Sequence, residues 1–134
     1  MTATTADRNT PLKDGEIVAV PVAANAVIRA GVLVCADANG NAIEGKTAEG
    51  LTYLGRSEVS VDNTGGAAGA ISVYVRRGLL FQWANAADDP VTQASFGKLC
   101  YVEDNQTVAA TNGTNTRSAA GLVFGVDAGG VWVL

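Results

Sequence analysis

Residues 15–134 predict an all-β domain, a single compact β-sandwich or β-barrel, preceded by an extended N-terminal arm at residues 1–14. Three observations carry this. Apolar residues fall in short runs rich in Val, Ile, Leu and aromatics, the runs are separated by Gly and Asn, and no segment holds a long 3.6-residue apolar period. At 134 residues, 48% of them hydrophobic and 16% charged, the chain is large enough for one core and too apolar to be disordered throughout.

The arm, MTATTADRNTPLKD, is polar, and Pro11 discourages helix at Thr10. An arm of this composition stays loose until something ties it down. EIVAVPV reads as a strand, and Pro21 places it at a sheet edge or a bend. AVIRAGVLVCA reads as two extended pieces about a turn at Gly31, and Asn39-Gly40 marks a hairpin. LTYLGRSEVSV is a further strand region, and DNTGGAAGA reads as a flexible loop.

In ISVYVRRGLLFQW, Ile71, Val73 and Val75 alternate with Ser72, Tyr74 and Arg76, and the same count returns Leu79, Phe81 and Trp83 to the apolar side. Arg77 breaks the pattern. Either Arg77-Gly78 is a bend between two strands, or the guanidinium meets a carboxylate at an interface, because an unpaired buried charge is untenable. NAADDPVTQASFG is expected to hold a helical turn capped by Asp89, with Pro90 at its first position. KLCYVEDNQTVAA reads as a hairpin across Asp104-Asn105, and TNGTNTRSAA as an exposed loop. The tail reads as a hairpin with Leu122, Phe124 and Val126 on one side, a turn at 128–130, and VWVL returning.

Composition excludes several chemistries. Without histidine, Ser-His-Asp and Cys-His arrangements and the common zinc sites are impossible. A net charge of −4 with scattered basic residues argues against nucleic acid as a partner. No apolar run is long enough for a membrane helix, and the opening residues lack the apolar core of a secretory signal, so the chain is expected to be made and folded in a cytoplasm. Cys35 and Cys100 sit in apolar runs and read as buried free thiols. The acid pairs Asp88-Asp89 and Glu103-Asp104 lie at turns, and adjacent strand residues face opposite ways, which suits solvation better than catalysis. DANGN fails as a calcium loop, because Ala42 stands where glycine is required and Ala48 where the bidentate acid belongs. No catalytic residue, cofactor or metal ligand is therefore assigned. Trp83, Phe81, Tyr74 and Trp132 read as core aromatics, with a sugar-binding platform as the alternative.

TADRNTP…DGEIVAVPVAANAVIRAGVLV, GLTYLGRSEVSVDNTGG, VRRG, DPVTQASFGKLCYVEDNQTVA and AGLVFGVDAGGVWV together resemble the capsid cement, or head decoration, proteins of tailed bacteriophages and Mu-like prophages. The resemblance runs from Ala6 to Val133 and consists of text rather than a catalytic motif. It implies a non-enzymatic β-rich protein on the outer surface of a virion, bound where major capsid protein subunits meet, and assembled as a small homo-oligomer. A homotrimer is the first expectation and a homodimer the second. The arm residues Arg8, Asn9, Thr10, Pro11 and Leu12 are the expected capsid contacts, with Arg76 and Arg77 as ion-pairing groups at a subunit boundary. The alternative function is a carbohydrate-binding β-sandwich module, possibly displayed on a virion.

Overall fold

The computed structural model describes residues 2–134, and nearly all of its regular secondary structure is strand. One antiparallel sheet is built from β1 (Ile17–Pro21), β3 (Leu33–Ala36), β4 (Ala42–Glu44), β5 (Thr52–Ser57) and β7 (Ser72–Arg76), in the order β1-β7-β5-β3-β4. A short pair, β2 (Val27–Ile28) with β6 (Val61–Asp62), accompanies it. The other half is a closed barrel of β8 (Phe81–Asn85), β9 (Leu99–Val102), β10 (Thr107–Ala109), β11 (Ala119–Asp127) and β12 (Gly130–Val133), ordered β10-β8-β12-β11-β9. Closure removes the unpaired edges that make open sheets sticky. Pro21 sits at the end of β1, the sheet's edge strand, where a missing N–H is tolerated.

Strand β3 joins the halves. All four of its residues are buried, so it shows no apolar–polar alternation. Leu33 and Cys35 belong to the barrel core with Phe81, Trp83, Val102 and Val131, whereas Val34 packs in a second core with Ile28, Val73 and Val75. Both cysteines are buried free thiols, and burial pushes each up to about 12.

The bend settles the Arg77 problem. Gly78 has φ +79°, the left-handed conformation that lets β7 stop and β8 begin, and Arg77 points into solvent. Leu79, expected on the apolar side, lies in this bend and is exposed. The strands also need a glycine at Gly55, whose φ is +141° and whose missing Cβ leaves room for the Arg76 carbonyl.

Three further expectations are corrected. The helical turn is a 3-10 turn at Gln93–Ser95 with Thr92 before it, and Asp89 does not cap it. The Asn85 side chain holds both the N–H and the carbonyl of Val91 (2.7 and 2.8 Å), fixing that stretch as loop. The loop after β6 is pinned, because the buried Asn63 amide donates to the carbonyls of Ala23 and Ala67, each at 3.0 Å. In β11 the register shifts between Val123 and Gly125, so Leu122 and Phe124 face outward while Val126 packs against the core.

Candidate functional site

The arm stands clear of the body. Residues 2–14 are all exposed, and every hydrogen bond they make is local. Arg8 Nη1 donates to Thr10 Oγ1 at 2.9 Å, and Asp14 Oδ1 accepts from the Glu16 N–H at 3.0 Å. Leu12, next to Pro11, is 94% exposed, the most open large apolar side chain among the described residues. Asn9, Thr10 and Pro11 likewise make no contact that would hold them to the body.

Arg76 and Arg77 have opposite fates. Arg76 donates to Glu16 (2.7 Å) and Glu58 (3.1 Å), and Arg56 joins the same Glu58 at 2.9 Å. Hydrogen bonds from Arg56 and then Arg76 hold the Glu58 carboxyl below its usual range. Arg76 is therefore engaged within the chain, where it fastens the arm's root to β7. Arg77 makes no side-chain ion pair among the described residues, and only its backbone N–H is used, by the Glu16 carbonyl at 2.8 Å.

A groove of about 490 Å³ lies beside Arg77, walled by Leu51–Gly55, Leu79, Phe81, Ala119–Gly121 and Leu134. Its lining includes no aspartate or glutamate. The acids lie elsewhere. Asp89 and Glu103 converge on the largely buried guanidinium of Arg117, at 3.0 and 3.2 Å. Asp89 also accepts from the Thr111 hydroxyl and N–H, which, the hydroxyl foremost, hold its carboxyl low. This cluster clamps the 111–118 loop onto the barrel.

The four aromatics do not assemble. Phe81 and Trp83 are buried in the barrel, with Trp83 Nε1 donating to Tyr53 Oη at 3.1 Å. Tyr74 is exposed on the sheet, and Trp132 is part-exposed on the barrel wall, where its Nε1 donates to Asp127. Among the described residues no group of His, Cys, Asp and Glu could hold a metal ion, and no helix is long and apolar enough to cross a membrane. No family model matches the chain, and no curated protein or solved structure matches it.

One surface escaped the sequence reading. The outer wall of the barrel carries Leu99, Leu122, Phe124 and Trp132, all at least 36% exposed. The only sequence signal for it is that β11 is apolar at consecutive positions 122, 123 and 124, which implies something to cover on both faces.

Proposed function

We propose that the chain is a non-enzymatic head decoration protein that binds the outside of a bacteriophage capsid and holds neighbouring major capsid protein subunits together. The observation that supports this most is an arm of residues 2–14, detached from a rigid β body and fastened to it at Glu16, which pairs with Arg76 and accepts from the Arg77 N–H. Such an arm makes few interactions to give up when it lies along a second protein, and an extended segment adds readily to a strand edge or a groove.

The physics of a clip follows. A shell under internal pressure fails where its subunits meet, and a body bridging two subunits adds interface that must break first. Each contact is modest, but a body and an arm bound to different subunits act in concert, because the second contact forms at high effective concentration. Arg8, Asn9, Thr10, Pro11 and Leu12 are the arm's contact residues, with Leu12 as the apolar anchor. Arg77 is a body cation with no side-chain ion pair among the described residues, whereas Arg76 positions the arm's root.

The test is binding to heads stripped of, or made without, the protein, comparing the full chain with one lacking residues 2–14. Loss of most of the affinity on deletion supports the arm's role. Equal binding by both chains refutes it.

A further inference from the structure

The barrel wall has an arrangement that the arm does not explain. Leu99 and Leu122 are direct cross-strand partners, the Leu134 N–H donates to the Leu122 carbonyl at 2.9 Å, and the Val133–Phe81 register sets Leu80 beside Leu134. Leu99 on β9 and Leu122 on β11 thus continue in one row through Leu134, just past β12, to Leu80, just before β8. A second row holds Phe96 and Phe124, edge to face at 5.6 Å, and then Trp132. Each of the seven is between 36% and 51% exposed.

With roughly 60–100 Å² open on each, these side chains offer on the order of 500–600 Å² of apolar surface. Contiguous patches above a few hundred Å² mark interaction sites. A stable interface takes about 800 Å² per partner, so a polar rim around this patch completes one of standard size.

Charge selects the occupant. Along β8, β11 and β12 the outward positions between the ends of the wall carry no Asp, Glu, Lys or Arg, and the one charge at the β9 margin is the exposed Lys98 between Phe96 and Leu99. At the Leu80–Leu134 end stands Arg77, which has no carboxylate partner. At the opposite end stands Asp127, whose carboxyl is held low by the Trp132 Nε1–H and the Gly129 N–H and which has no ion pair among the described residues. A two-fold axis through the middle of the wall would exchange these ends and set Arg77 of each copy against Asp127 of the other.

We infer that the chain forms a two-fold homodimer by packing this wall on the same wall of a second copy. One self-complementary patch with opposite charges at its ends gives a closed pair, whereas a trimer needs two different patches that fit each other. The dimer does not depend on the capsid reading, since it rests on the barrel alone.

Sedimentation equilibrium of the full chain tests it. The expected mass is twice 13.6 kDa, with dissociation on dilution through a constant on the order of micromolar. Leu122→Glu places two like charges in the dry centre and raises that constant at least roughly 100-fold. Arg77→Glu raises it about 10-fold, an effect that added salt diminishes. Circular dichroism verifies folding of each variant, and if Leu122→Glu does not fold, Arg77→Glu carries the test alone. A chain that stays monomeric at millimolar concentration, a trimeric mass, or a dimer indifferent to both substitutions overturns the inference. So does a monomeric chain whose Leu122→Glu variant loses head binding, because the wall would then cover capsid protein.

Discussion

Replacing Leu33 with alanine tests whether sheet and barrel are one body. Leu33 is fully buried, sits on β3 where the two halves meet, and belongs to the barrel core. Its surroundings cannot close over a void. Its N–H donates to the Asn105 carbonyl and its carbonyl accepts from Gly45, each at 2.8 Å, and a Cβ built on Gly45 would lie 2.7 Å from its Cδ2. Buried Leu→Ala changes cost about 2–5 kcal/mol, more where the site fails to collapse, so about 3–4 kcal/mol is expected here. At about 2.1 cal/mol/K per residue, 134 residues give an unfolding entropy of about 0.28 kcal/mol/K, and Tm falls by about 11–14 °C. Differential scanning calorimetry reads this directly. The wild type and variant should each show one transition. A fall below about 4 °C, or separate transitions for two halves, refutes the claim that β3 unites them.

Four other outcomes follow from the same structure. Trypsin should cut first after Arg8 and Lys13 and leave a resistant body, which mass spectrometry detects; early cuts at Arg76 or Arg117 would contradict the boundary at residue 15. The carboxyls of Glu58, Asp89 and Asp127 lie below their ordinary values of 4.5, 3.8 and 3.8, so their stabilisation is present above those values and disappears as pH falls through the lower folded ones. Cys35 and Tyr53 are raised by burial from 9.0 and 10.0 to about 12, so their contribution holds below pH 9 and is lost between about 9 and 12. With no histidine, Tm should be flat from pH 6 to 8; a slope there would contradict the charge assignment. Cys35 and Cys100 should react with a thiol reagent only at the rate of unfolding, and fast labelling of the native chain would contradict their burial. Gly55→Ala should lower stability by about 1–3 kcal/mol in urea melts, because a side chain must meet the Arg76 carbonyl in an unfavourable conformation.

The sequence revealed most where local chemistry decides. Turn residues marked the hairpins at Asn39-Gly40 and Asp104-Asn105, and the alternation from Ile71 to Val75 matches a strand with one face on the core. It misled where distant parts decide. Carrying the alternation through Arg77 put Leu79 inside, but a bend at Gly78 resets the count. Asp89 looked like a cap because Pro90 follows it, yet Arg117 and Thr111 claim its carboxylate from over twenty residues away. The outward row on the barrel was hidden for the same reason. Leu99, Leu122 and Leu134 are adjacent only once β9, β11 and β12 are paired, and a bulge after Val123 turns Val126 inward, away from the face of Leu122 and Phe124.

The proposed role is mechanical, so the decisive measurement is the temperature at which DNA-filled heads release their genome, followed by dye fluorescence with and without saturating protein. Bound protein should raise that temperature by several degrees and slow rupture, and the chain lacking residues 2–14 should do neither. Heads that bind the protein and burst at the same temperature, or heads that never bind it, would contradict the account.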